Sequence, residues 1–130
     1  MIGLDSAAII DLINGCESLI KLLANLDEPI GLNRVNYFEV MLGVDAQDEN
    51  FNEEIYLYDN LFNRSTLFEL DENSCKKSSE IFWKLRKSGI AIEDFDCAIA
   101  GIYLSHGVNK IITKNVKHFE NIKGLKVISY

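Results

Sequence analysis

One proline, two histidines and three cysteines occur in 130 residues, and each scarcity removes a class of protein. Cys16, Cys75 and Cys97 are odd in number, widely spaced and without a CxxC pair. That pattern predicts reduced thiols rather than a disulfide framework or a zinc site. His106 and His118 fall in a polar turn and a short helical stretch, without the spacing of a metal site. No apolar run reaches the roughly 18 residues of a membrane helix. No basic leader precedes a cleavable apolar segment, so the expectation is a cytoplasmic chain with no membrane partner. Neither a repeat nor a Pro/Gly linker divides it, which predicts a single domain over residues 1–130.

Positive charge is also scarce, but unevenly. The net charge is −7, which by itself speaks against a polyanionic partner. Residues 1–75 hold 15 acids and only 3 bases (Lys21, Arg34, Arg64), whereas residues 76–130 hold 10 bases and 5 acids. The stretch KIITKNVKHFENIKGLK therefore reads either as a solvated lysine face or as a local basic strip able to meet phosphate.

What the sequence has in plenty is alternation of short apolar runs with helical patterns. MIGL reads as a buried strand. SAAIIDLING follows as a helix, with Ser6 available as N-cap and Gly15 as terminator. ESLIKLLANL is a second helix, broken at Glu28-Pro29, and IGL a second strand. Helical periodicity then runs to Gly43, and again over 48–63, where Phe51, Ile55, Tyr58 and Phe62 recur at three- and four-residue steps. STLFEL, KIIT and LKVIS read as strands. DENSCKKSSEIFWKLRKSG and NVKHF read as helices, and CAIAGIYL as a helix apolar on nearly all sides, hence buried against a sheet. Trp83, with Ile81, Phe82 and Leu85, is expected in the core or an interface. The alternation predicts an α/β fold, a three-layer α/β/α sandwich on a parallel sheet of four to five strands.

In such sheets functional groups gather beyond the carboxyl ends of the strands. That rule selects Asp5 after the first strand, Glu39 early in the third helix, Asp96 in the first turn of the buried helix, and Asn115 with Thr113 after KIIT. Each alone has a capping explanation: Asp5 and Asn115 as caps, Asp94 and Asp96 as dipole partners, and Asn36 with Glu39 as a capping box. Together, clustered carboxylates raise one another's pKa unless a cation sits among them. Oxygen donors of this kind suit Mg²⁺ or Mn²⁺.

Four segments, MIGLDSAAIIDLI, NYFEVMLG, GIAIEDFDCAIAGIYLSHG and IITKNVKHFENIKGLKVI, resemble the PIN-domain family, most nearly the VapC-type toxins of toxin–antitoxin pairs. The resemblance spans essentially the whole chain. It implies a metal-dependent endoribonuclease using Mg²⁺ or Mn²⁺, with Asp5, Glu39 and Asp96 as the acidic triad and Asn115 at the fourth catalytic and metal-binding position. Ser6 and Thr113 match supporting hydroxyl residues, and Asp94 is a further supporting or helix-capping carboxylate. Ala7 departs from the family, where a polar residue is common. The resemblance further implies an RNA substrate, a small antitoxin received on the amphipathic region around Phe51, Tyr56, Tyr58 and Phe62, and a homodimer. Phosphate contacts are expected from Arg34, Lys110, Lys114 and Lys117, and further from Lys84, Arg86 and Lys87. Two alternatives stand beside the toxin: a PIN nuclease of RNA processing, and an inert PIN-like module binding RNA or protein.

Overall fold

The computed structural model describes residues 1–130. In chain order the strands are β1 (Ile2–Leu4), β2 (Ile30–Asn33), β3 (Thr66–Phe68), β4 (Lys110–Ile112) and β5 (Lys126–Ile128). The helices are α1 (Ser6–Ile13), α2 (Glu17–Leu26), α3 (Arg34–Leu42), α4 (Phe51–Arg64), α5 (Glu72–Lys87), α6 (Asp94–Ser105) and α7 (Val116–Phe119). All five strands run parallel in the order β3-β2-β1-β4-β5, matching the expected fold class.

Side-chain alternation gives the sheet two covered faces. Adjacent Ile111 and Ile112 of β4 point into different clusters, as a period of two requires. Ile112 joins Ile2, Leu4, Leu32, Ala8, Ile9, Leu19 and Val40 against α1–α4. Ile111 joins Ile81, Leu85, Ile99, Tyr103 and Phe119 against α5–α7. Gly3, between Ile2 and Leu4, faces this second layer because the Tyr103 ring occupies the space of a side chain. An ideal Cβ on Gly3 would lie 2.6 Å from that ring.

Tyr103 also locks the central strands. Its hydroxyl accepts from Leu4 N–H at 3.2 Å and aims its hydrogen among Leu4 O, Gly31 O and Asn36 Oδ1, at 2.7, 3.0 and 3.0 Å. A buried phenol needs such partners, since an unpaired one costs about 1–3 kcal/mol.

One cap is chosen from two the sequence offered, and another differs from the expectation. Asp5, not Ser6, is the N-cap of α1: its Oδ1 accepts from Ala8 N–H at 2.8 Å. The capping box of α3 is Asn33 with Asn36, not Asn36 with Glu39. In both places one more residue of the strand's end is recruited into the helix cap, which leaves Ser6 and Glu39 free to face each other. Trp83 is 52% exposed on α5 rather than core.

Candidate active site

Strand β1 is the switch point of the sheet, with β2 on one side and β4 on the other, and a cleft of about 850 Å³ opens near its carboxyl end. Asp5, Ser6, Glu39, Asp94, Asp96 and Asn115 all line it, although their sequence positions span the chain. Ala7 lines it too, presenting a methyl group. Thr113 is fully buried below, and its hydroxyl donates to Asp5 Oδ2. It also accepts from Asn115 N–H at 2.9 Å, so one threonine positions both neighbours.

Asp5 is 4% exposed and pinned from two directions, by Ala8 N–H and Thr113. Burial pushes its pKa up, opposed by those two hydrogen bonds, while the Asp96 charge raises it further. Asp96 is raised mainly by burial as well. His118 opposes that shift, and the Glu39 and Glu93 charges add to it. The carboxylates thus feel one another across the cleft, and the fold holds them in that unfavourable proximity.

Glu39 is positioned by a relay from the core. Tyr103 bonds Asn36 Oδ1, Asn36 Nδ2 donates to Ser6 Oγ at 3.1 Å, and Ser6 Oγ donates to Glu39 Oε1 at 2.6 Å. Ser6 is free for this because Asp5 has taken over the cap. Asp94 is the first residue of α6, exposed, with Glu93 in the cap position making no side-chain cap bond. A carboxylate there complements the helix dipole.

His118 is the cleft residue that sequence reasoning passed over. Its Nδ1 donates to Asp96 Oδ2 at 2.9 Å. The spacing signal was slight: His118 lies three residues after Asn115, one helical turn along α7.

The expected phosphate contacts divide. Lys117 lines the cleft. Lys114 follows Thr113 but pairs with Asp11 at 2.8 Å. Arg34 forms a two-pronged pair with Glu69, at 3.1 and 2.7 Å. Lys110 begins β4, at the opposite edge of the sheet from the cleft, and is paired with Glu28. Of the α4 residues, Tyr58 and Phe62 are buried in the core, whereas Tyr56 and Leu57 are exposed. Phe38 and Phe95 meet edge-to-face at 5.6 Å, Phe95 lining the cleft.

No protein-family model matches the sequence, and no curated protein matches it significantly. Solved structures do match. A chain of VapBC2 from Rickettsia felis, bound to a promoter DNA fragment, superposes with a TM-score of 0.84 at 21% identity, covering 100% of this chain and 99% of that one. VapBC-1 from nontypeable Haemophilus influenzae gives 0.83 at 26% identity, covering 99% and 98%. A VapC toxin of Mycobacterium tuberculosis that cleaves the sarcin-ricin loop gives 0.69 at 10% identity, covering 97% and 99%. Over essentially its whole length the chain shares the fold of these VapBC and VapC chains.

Proposed function

We propose that this chain is a metal-dependent endoribonuclease, the toxin of a toxin–antitoxin pair. The observation that carries the proposal is the convergence of Asp5, Glu39, Asp96 and Asn115 on one cleft at the carboxyl edge of the sheet. The likeness to VapBC structures supports the toxin role, and the likeness to an RNA-cleaving VapC toxin supports the substrate class. A small antitoxin and a second copy of the chain are the partners that go with it.

The donor set suits Mg²⁺ or Mn²⁺. It offers oxygen ligands only, and the two central carboxylates carry raised pKa values that a cation would relieve. No three acidic, thiol or imidazole groups close on a single point. Each Asp5 oxygen accepts one hydrogen bond, and a carboxylate has about four acceptor sites, so capacity remains.

In this reading Asp5 and Asp96 hold the ion, with Glu39 and Asn115 at its rim. When bound, the ion supplies positive charge to the phosphate oxygens and lowers the pKa of a coordinated water. The chain's own residues do the placing. Thr113 fixes Asp5, His118 holds one oxygen of Asp96, and Ser6 holds Glu39. Lys117 offers the cleft's free cation to a phosphate. Hydrolysis would leave 5′-phosphate and 3′-hydroxyl ends.

The test is to incubate purified protein with total RNA under Mg²⁺, Mn²⁺ or chelator and to sequence the 5′-phosphate ends. Discrete ends that vanish with chelator are expected; ends that persist in chelator would remove the metal from the mechanism. Ser6→Ala provides a second measurement. It frees Glu39 from its 2.6 Å bond without touching the metal ligands, so cleavage should drop about 10–100-fold, the usual penalty for losing a partner that orients a ligand. Its melting temperature should stay within about 2 °C of wild type.

A further inference from the structure

We propose that a groove leading from the acidic cleft along Gly89–Ile92 and past α5 is a binding track for single-stranded RNA flanking the cut site, with Phe82, Trp83 and Arg86 as its base-stacking platform. The proposal rests on the ribonuclease reading and assigns the place where that substrate extends.

Three clefts join end to end. Ala91 and Ile92 line both the acidic cleft and a second cleft of about 430 Å³ bounded by Phe82, Arg86 and Gly89. Ile90 is shared by that second cleft and a third, also about 430 Å³, rimmed by Lys84, Lys123 and the paired Lys77 and Glu80 over a floor that includes Ile81 and Ile122. The run Gly89–Ile92, with Gly89 and Ala91 exposed and Ile90 and Ile92 half-buried, is therefore the wall these neighbouring clefts share.

Phe82 and Arg86 line the second cleft, and Trp83 stands exposed beside them on α5. Phe82 and Trp83 meet edge-to-face at 5.4 Å, and the Arg86 guanidinium lies 5.8 Å and 5.6 Å from their ring centroids. Such a guanidinium–aromatic surface is what unstacked bases pack upon, and cation–π contact holds the arginine flat in advance.

Charge decides between occupants. Five of the thirteen basic side chains, Arg34, Lys76, Lys77, Lys110 and Lys114, pair with carboxylates. Lys84, Arg86 and Lys123 make no ion pair at all, and neither does Lys117 within the acidic cleft. Unneutralised cations beside the helix C-terminus of α5 complement its dipole, which accounts for Lys84 and Arg86 but not for Lys123, which lies beyond α7. A nucleic-acid strand offers phosphates to the unpaired cations and bases to the aromatic rings; an acidic peptide would use the lysines and leave the aromatic platform idle.

Trp83 is the one tryptophan of the chain, so its emission reports on the platform alone. The protein would carry Asp96→Asn and be kept in chelator, so that RNA stays uncut, and be titrated with a twelve-residue oligoadenylate. Saturable quenching is expected, weakening with salt as phosphate contacts are screened. Adding Arg86→Gln and Lys84→Gln should raise the dissociation constant about tenfold, the size of one lost stacking contact. Oligoadenylate that binds by fluorescence anisotropy without quenching Trp83 would overturn the proposal. So would a molar mass in solution that halves in Trp83→Ala, since the platform would then be a contact between copies. Cleavage by the wild type with Mg²⁺ or Mn²⁺ is scored separately. Quenching without cleavage refutes the nuclease and leaves the track, whereas cleavage without quenching does the reverse.

Discussion

Asp5→Asn and Asp96→Asn are each expected to reduce RNA cleavage by about a thousandfold or more while making the protein more stable. The loss of activity follows from removing one of two central negative charges that would hold the cation, and charge stabilisation usually lowers the barrier of such a reaction more than any other effect. The gain in stability follows from the same electrostatics. Burial raises the pKa of both groups, and each is further raised by a neighbouring carboxylate. A buried acid with a raised pKa stabilises the fold when protonated; that contribution is complete below its ordinary value of 3.8 and is lost as pH rises through the folded-state value. At neutral pH the wild type therefore holds its carboxylates at a cost that asparagine removes. In Asp5→Asn the new side chain can still accept from Ala8 N–H through its carbonyl and donate to Thr113 through its amide, so the cap survives the change.

The measurable signature is a melting temperature roughly 2–5 °C above wild type at pH 7, with the gap closing as pH falls toward 4. Thermal melts of both proteins across that range, in chelator, would show it. A gap that is constant with pH would mean that the carboxylates are not strained by one another. Added Mg²⁺ or Mn²⁺ should raise the melting temperature of the wild type more than that of either variant, because a ligand stabilises only the form that binds it.

How much of this could be read from the sequence depended on whether the signal was local. Elements with strong periodicity and clear breakers emerged at the predicted places: Glu17–Leu26 and the strand after Pro29 are examples. The parallel sheet followed because strand–helix alternation leaves few other arrangements. Asp5, Glu39, Asp96 and Asn115 were selectable because a parallel sheet gathers groups at one edge, and they do line one cleft. Basic residues obeyed no such rule. Lys110 and Lys114 are four residues apart, yet the strand between them carries Lys110 to the far edge and Glu28. Lys114 is tied instead to Asp11, more than a hundred residues away. Ion pairing between distant segments leaves no trace in local pattern. The bond between His118 and Asp96 was hidden for the same reason, and so was the exposure of Trp83, since an apolar stretch looks the same whether α5 turns it inward or outward.

The largest expected effect on folding comes from adding a single methyl group. Gly101 lies in α6 where it crosses α5, and an ideal Cβ there would sit 2.0 Å from Ser78 Oγ, 2.9 Å from Ser74 O and 2.9 Å from Ser78 N. Gly101→Ala gains up to about 1 kcal/mol of helix propensity, but two of the three atoms it strikes are backbone. Relief requires the helices to part, and with them Ile81, Leu85, Cys97 and Ala100, which close this half of the core. Overpacking usually costs about 1–3 kcal/mol; here the upper end or beyond is expected, a large share of the roughly 5–15 kcal/mol that holds a domain. Denaturant titration should show a lower midpoint with unchanged slope. Asp96 stands five residues earlier on α6, about 7.5 Å along its axis, so whatever protein still folds should also cleave RNA poorly. Ser78→Gly added to Gly101→Ala separates the contributions. It removes the hydroxyl but leaves Ser74 O and the Ser78 backbone nitrogen in place, so only part of the stability should return. Complete recovery would mean that the hydroxyl alone keeps residue 101 a glycine and that the helix backbones have room to spare.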